Sequence, residues 1–322
     1  MIELIDFSAC PLSERNLQYG GRAGEKRGIV HQGKPWILKF PKNTIGMRGV
    51  EGISYVTSPL NEYVGSQIFR MLGFETQETL LGVCFDGKRY KPVCACRDFI
   101  DDEENEILIP YTALRNDASP AIMERNDRSF VAPSSIEEVI FQLKHNAALA
   151  QIEGASLHFF EVAIVDLLIN NNDRNEDNWG LIKNKKTGSY RFAPVYDCGN
   201  CFSGKSSEEK IASMLADPAK LAASANNGVT AYDDEDGVRI TNARFLRLDD
   251  RDLKQAILTV CQKAEPRLRE IEDFIFSIPT EFEGVSIMSE NRARFYWESL
   301  KIRYETMLSP RSEEIAGEAA KR

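Results

Sequence analysis

No run of about 18 apolar residues occurs in this 322-residue chain, so a membrane-spanning helix is not expected. The start, MIELIDFSACPLSERN, also lacks the basic region followed by a long apolar stretch that marks a secretion signal. The expected compartment is the cytoplasm, with export by a route lacking a classical signal left open. Positive charge is in short supply: 40 Lys and Arg against 49 Asp and Glu give a net charge of −9. That balance argues against direct nucleic-acid binding but leaves room for a local basic site. A disulfide framework is missing too. Cys10, Cys84, Cys94, Cys96, Cys198, Cys201 and Cys261 are odd in number and scattered, which fits free thiols. Zinc binding by Cys94/Cys96 with Cys198/Cys201 is disfavoured, because these pairs sit in an apolar strand pattern and a turn pattern. There is no internal repeat or long low-complexity linker.

What is present suits a globular protein with two lobes. The length exceeds what most single cores use, and 43% apolar with 28% charged residues is ordinary for a folded chain. The first hundred residues favour strands. Gly28 to Pro41 reads as a hairpin around Gly33-Lys34, with Lys39 near the end of its second strand. SPLNEYVGSQIFRMLGF predicts a helix capped by Ser58, with Pro59 in its first turn and Glu62 near its start. Val64, Ile68 and Leu72 recur at helical spacing, and Gly73 is a stop signal. ETLLGVCF and PVCACRDFI read as further strands around the DGKRY turn.

Helical patterns dominate from about residue 133. SSIEEVIFQLKHNAALA and HFFEVAIVDLLINN predict helices, the second apolar on nearly every face and therefore buried. Asn226 to Thr241 reads as an exposed acidic turn region, and SPRSEEIAGEAAKR as a frayed or weakly packed end.

The densest chemical signal is NNNDRNEDNWGLI followed by RFAPVYDCGNCF. Asp173 and Asn178 stand in a polar segment between a buried helix and an apolar run. Asp197 follows a second apolar run, Phe192 to Tyr196, and pairing of the two runs would bring the carboxylates to one end of a cleft. Phosphoryl transfer needs one carboxylate to orient an attacking hydroxyl and accept its proton, and a second carboxylate with an amide oxygen to hold magnesium at the phosphates. Asp173 fits the first role, Asn178 and Asp197 the second. The same residues also read as an Asx-rich turn capped by its own side chains. Asp177 reads as a cap or an outward residue. Arg174 reads as structural or phosphate-neighbouring, since a guanidinium stays protonated.

Lys39 supplies a cation for ATP phosphates if its strand faces the cleft, and Glu62 can pair with it and fix its direction. Each also has a plain reading, as an edge-strand lysine and a helix-start charge. Upstream, YGGRAGEKRG places Gly20, Gly21, Gly24 and Gly28 where backbone could approach phosphates. It matches neither GxGxxG nor GxxxxGK[ST], and an ordinary mobile turn is the other reading.

Taken in order, YGGRAGEK, WILKFP, SPLNEYVGSQIFRMLGF, CRDF, NNNDRNEDNWGLI and VYDCGNCF resemble the HipA-like serine/threonine kinases, in particular a short branch of that family. The resemblance spans roughly residues 18 to 202. It implies an α+β, bilobal protein-kinase-like fold: residues 1–99 a strand-rich nucleotide-binding lobe, residues 100–322 a mainly helical catalytic and substrate lobe, joined near residues 97 to 110. It implies ATP and Mg2+ as cofactors and a protein hydroxyl as acceptor. Lys39 would contact the ATP phosphates and be oriented by Glu62, Asp173 would serve as base or substrate-positioning group, and Asn178 and Asp197 would hold the metal. Gly20, Gly21 and Gly24 would cover the nucleotide, and main-chain groups from Cys96 to Asp98 would border the adenine.

Two departures from the family matter. YGGRAGEK has no serine or threonine, so self-inactivation through a phosphorylated loop serine does not transfer. DCG at Asp197 to Gly199 replaces the DFG of eukaryotic protein kinases. Some family members are toxins of toxin-antitoxin pairs, which makes an antitoxin-like regulator a possible partner; others are secreted effectors. Autophosphorylation would have Ser203, Ser206 and Ser207 as candidates. A small-molecule kinase and a nucleotide-binding pseudokinase are the alternative functions.

Overall fold

The computed structural model describes residues 2–17, 26–41, 57–115 and 134–320; Gly20, Gly21 and Gly24 lie outside them. Contacts divide the chain into two units. One comprises Met1–Phe99, Asp197–Ala225 and Pro266–Ile302, the other Ile100–Tyr196, Asn226–Glu265 and Arg303–Arg322. Besides the first ninety-nine residues, the first unit thus takes in two later segments of the chain.

In the first unit, β1 (Ile5–Asp6), β2 (Lys26–His31), β3 (Lys34–Lys39), β4 (Thr79–Phe85) and β5 (Tyr90–Arg97) form one sheet in the order β1-β4-β5-β3-β2. β1 runs parallel to β4 and the other pairings are antiparallel. The β2–β3 turn places Gln32 and Gly33 at φ 51° and 72°, the left-handed pair whose twist matches a two-residue hairpin. On β3, Trp36 and Leu38, followed by Phe40, are buried with Phe7, Ile29, Val93 and Ala95. Burying each large side chain contributes roughly 1.5 to 3 kcal/mol. That fixes the register, because a one-residue slip would turn all three outward and Lys39 into the apolar layer.

The helix α1 (Ser58–Met71) packs on β4 and β5. Val64, Ile68 and Leu72 are fully buried, and Gly73 at φ 83° ends the turn. Ser58 is not the cap; Thr57 occupies that position and makes no side-chain cap bond. Its hydroxyl donates instead to the Gly204 carbonyl at 3.1 Å. This contact also shows why a later segment joins the first unit: Asn61 Nδ2 holds the Cys201 carbonyl at 2.7 Å, and Phe202 stacks on Tyr296 at 4.6 Å.

The second unit contains β6 (Glu106–Pro110), α2 (Ile136–His145), α3 (Ala155–Ile169), β7 (Gly180–Asn184) and β8 (Tyr190–Phe192). β6, β7 and β8 form an antiparallel sheet in that order. The α3 pattern, apolar on nearly every face, is met by burial of most of the helix, which packs on the helix Arg251–Ala264. The acidic region is not simply an exposed turn: Val229–Asp233 pairs with Arg239–Thr241, and Thr230, Ala231 and Tyr232 are buried beneath the acidic tip. Nor is the end frayed. Ser309–Ala320 is a helix that buries Ile315, and Arg311 Nε donates to the Leu246 carbonyl at 3.1 Å. Among the described residues no helix is long and apolar enough to cross a membrane.

Candidate active site

Strand alternation puts Lys39 on the sheet face opposite Trp36 and Leu38, paired in register with Cys94. Its Nζ donates to Glu62 Oε2 at 2.8 Å and to Asp197 Oδ1 at 2.9 Å. Glu62, on the second turn of α1, is wholly buried. Its other oxygen, Oε1, accepts the Cys198 amide at 3.0 Å, so one carboxylate ties a strand lysine to the chain just after Asp197. Burial works against the charge on Lys39, but the nearby carboxylates of Asp197 and Glu62 outweigh it and hold the lysine pKa well above its ordinary value. The ammonium is therefore fixed in charge at neutral pH.

Asp197 adopts φ 57°, unusual for a residue with a side chain, and its side chain remains 38% exposed. Gly199 follows for a steric reason: a Cβ there would stand 3.0 Å from Glu62 Oε2.

Cys96 is fully buried in β5, paired on both sides with β3 and β4. Cys94 Sγ and Cys96 Sγ are 3.9 Å apart, and all seven cysteines are free thiols. At the strand end the Asp98 amide donates to the Pro35 carbonyl at 3.0 Å and its carboxylate binds Arg15 at 2.9 Å. Of the candidate serines, Ser206 is buried, and the Ser207 hydroxyl caps the helix Glu208–Leu215 by accepting the Lys210 amide at 3.2 Å.

In the second unit α3 ends at Asn170, which turns left-handed at φ 55°. The loop that follows is built around a buried ion pair. Arg174 Nε meets Asp166 Oδ2 at 2.8 Å and Nη2 meets Oδ1 at 3.0 Å. Asp166 also accepts Asn171 Nδ2 at 2.8 Å. Arg174 Nη1 reaches the Asn178 carbonyl at 2.9 Å and the carbonyl of Tyr196, the residue before Asp197. Arg174 is thus structural. Asp166 was not singled out by its pattern, though the signal existed: an acid inside the otherwise apolar AIVDLLI stretch must find a partner when buried.

On this frame Asp173 is exposed, with its carboxylate bonded to Asn175 Nδ2 at 3.0 Å. Asn178 is nearly buried and gives Nδ2 to the Asp173 carbonyl at 2.6 Å. Asp177 points outward and accepts the Thr112 hydroxyl at 2.6 Å, and Glu176 pairs with Arg115 at 3.2 Å. The loop does bond to itself as an Asx turn would, yet those bonds leave the Asp173 carboxylate at the surface.

A family model described as the HipA-like C-terminal domain matches residues 18–268. The chain belongs to the HipA-like family. It is 24% identical over 277 residues to the serine/threonine-protein kinase CtkA of Helicobacter pylori, covering 85% of this chain and 79% of that protein. It also superimposes on the crystal structure of a Helicobacter pylori proinflammatory kinase CtkA with a TM-score of 0.81 at 23% identity, over 98% of this chain and 99% of the other. This HipA-like chain therefore has the bilobal kinase-like fold, strand-rich at its N-terminal side and helix-rich towards its C-terminal side. Among its described residues no group of three or more His, Cys, Asp or Glu side chains forms a metal cage.

Proposed function

We propose that this HipA-like protein is an ATP- and magnesium-dependent serine/threonine protein kinase. The observation that carries the reading is Lys39 held between Glu62 and Asp197, in which a cation of fixed charge is aimed by one buried carboxylate and shared with a second, partly exposed one. Such a lysine contacts nucleotide phosphates, and positioning with electrostatic stabilisation supplies most of the catalysis in phosphoryl transfer.

Asp173 is the base, or positions the acceptor hydroxyl, from an exposed loop held rigid by Arg174 and Asp166. Asn178 and Asp197 offer two hard oxygen donors. The amide nitrogen of Asn178 is already given to Asp173, which leaves its oxygen as the ligand atom. A carboxylate with one amide oxygen suits Mg2+, which keeps several waters and takes its remaining ligands from phosphates. When bound, the ion would offset charge on the transferring group. Gly20, Gly21 and Gly24 are assigned to the phosphates, and main chain near Cys96 and Asp98 to the adenine. Since the Asp98 amide is bonded to Pro35, carbonyls are the groups offered there. In this reading residues 1–99 form the nucleotide lobe and 100–322 the catalytic and substrate lobe. The protein works in the cytoplasm, where its cysteines stay reduced, and an antitoxin-like regulator and autophosphorylation belong to the same reading.

The test is transfer of labelled γ-phosphate with magnesium to a broad protein mixture, comparing wild type with Asp173→Asn and Asp197→Ala. Transfer should fall on the order of 10²-fold or more in each variant. Equal transfer by all three would overturn the assignment.

A further inference from the structure

A loop residue that holds a metal must keep its oxygen still, and the main chain around Asn178 is tied on both sides. The peptide unit before it joins the Asp177 carbonyl and the Asn178 amide in one plane. Its N–H donates to the Asn175 carbonyl at 3.0 Å, and its oxygen accepts the Tyr196 hydroxyl at 2.9 Å. The peptide unit after it is held through the Asn178 carbonyl, which accepts Arg174 Nη1 at 2.9 Å. The flanking carbonyls of Glu176 and Trp179 accept the main-chain amides of Thr112 and Tyr111 at 3.1 and 2.9 Å. Each carbonyl from 176 to 179 is therefore bonded to a donor outside that run.

Both backbone dihedrals of Asn178 lie between the two restrained planes, and its side-chain nitrogen is bonded to the Asp173 carbonyl at 2.6 Å. The remaining atom, Oδ1, is aimed by these bonds. Two of the four carbonyl donors are main-chain amides, and a third is the buried partner of Asp166. The fourth is the hydroxyl of Tyr196, a half-buried residue immediately before Asp197. The carbonyl of Tyr196 also accepts Arg174 Nη1, so side chain and main chain of one residue both grip the Asn178 loop.

We propose that Tyr196 is a positioning residue whose hydroxyl sets the orientation of the Asn178 oxygen for Mg2+ bound with the nucleotide. This rests on the kinase reading, in which that oxygen holds the metal. Mg2+ demands near-octahedral geometry at short distances whereas Ca2+ tolerates irregular sites, so a loosened Asn178 penalises Mg2+ more.

The probe is the non-hydrolysable β,γ-imido analogue of ATP, titrated calorimetrically into the full chain with EDTA, with Mg2+ and with Ca2+. The gain in nucleotide affinity that each metal brings is the readout. Tyr196→Phe removes the hydroxyl and keeps the ring, and the Mg2+ gain should fall about 10-fold, as when a group that orients a metal ligand is lost. The Ca2+ gain should fall about threefold at most, with metal-free affinity and melting temperature unchanged. An unchanged Mg2+ gain, equal falls with the two metals, or a matching fall in metal-free affinity would each overturn the proposal. Asn178→Ala separates it from the reading beneath it. If Asn178→Ala keeps the Mg2+ gain, the metal assignment fails and this proposal with it; if Asn178→Ala loses the gain and Tyr196→Phe keeps it, the proposal alone fails.

Discussion

Arg174 and Asp166 form a two-point ion pair, Nε to Oδ2 at 2.8 Å and Nη2 to Oδ1 at 3.0 Å, with the side chains 3% and 5% exposed. A pair this deep is held by geometry, since two desolvated charges repay their burial only when their hydrogen bonds are well made. Here Asn171, the Asn178 carbonyl and the Tyr196 carbonyl complete the set. The pair therefore determines the shape of the loop that bears Asp173.

Removing one member should cost more than removing both. Asp166→Ala leaves a guanidinium buried without its counter-ion and is expected to lower stability by about 3 to 5 kcal/mol. Asp166→Leu/Arg174→Met, an apolar replacement of both, should lose less. Denaturant midpoints of the three proteins check the order, and a double variant weaker than Asp166→Ala would show that the buried pair is not what holds the loop.

Lys39 and Glu62 should show a different pattern. Glu62→Gln keeps the shape of the side chain and its bond from the Cys198 amide but removes the charge beside Lys39. Labelled-phosphate transfer is expected to fall by about 10-fold to 10²-fold as the lysine loses its orientation. Lys39→Met should fall at least as far, and the double variant no further than Lys39→Met, because Glu62 acts through the lysine. Additive losses would separate the two residues.

Much of this arrangement was legible in the order of elements. The alternation of WILKFP sets Lys39 on the strand face opposite Trp36 and Leu38, and the Pro59 start with apolar Val64, Ile68 and Leu72 marks the helix α1, but Glu62 lies off that apolar stripe and its burial could not be read from it. Two-residue and helical periods are local, so they survive without knowledge of partners. What was not legible depends on the rest of the chain. Whether Thr57 or Ser58 caps α1 turns on Gly204, 147 residues away. Asn226 to Thr241 is polar at its tip like any turn, and only the pairing of Val229–Asp233 with Arg239–Thr241 reveals a hairpin. Asp166 hid in an apolar helix because its partner Arg174 belongs to the next loop. The discontinuous packing units likewise rest on side chains such as Asn61, whose partners lie far along the chain.

His158 gives the protein an acid-sensitive group. Burial, followed by the charge of Lys263, pushes its pKa down from 6.5 to about 4, and its ring lies 4.3 Å from that of Phe192. Between those two values the unfolded chain binds a proton that the folded chain does not, so stability must fall as pH drops through this window. The full effect is about 3 kcal/mol at one pKa unit per 1.36 kcal/mol. Denaturant melts at pH 7 and pH 4.5 should show His158→Phe losing less stability than wild type between the two. Equal losses would place the sensitivity elsewhere.

Gly204 tests how firmly α1 holds the chain after Asp197. A Cβ at this position would stand 2.1 Å from Asn61 Nδ2 and 2.9 Å from Thr57 Oγ1, and Asn61 is fully buried, with that nitrogen on the Cys201 carbonyl and its oxygen taking the Tyr296 hydroxyl. Neither neighbour has room to turn away without breaking a buried hydrogen bond, so Gly204→Ala should cost about 1 to 3 kcal/mol. Gly237→Ala is the matching control: its φ of 73° strains an alanine, but nothing lies within 4 Å of the new carbon, and the cost should be near 1 kcal/mol. Because Asn61 adjoins Glu62, Gly204→Ala should also reduce phosphate transfer while Gly237→Ala should not. Loss of stability in Gly204→Ala with transfer unchanged would mean that the grip on residues 201–204 supports the fold without positioning Glu62.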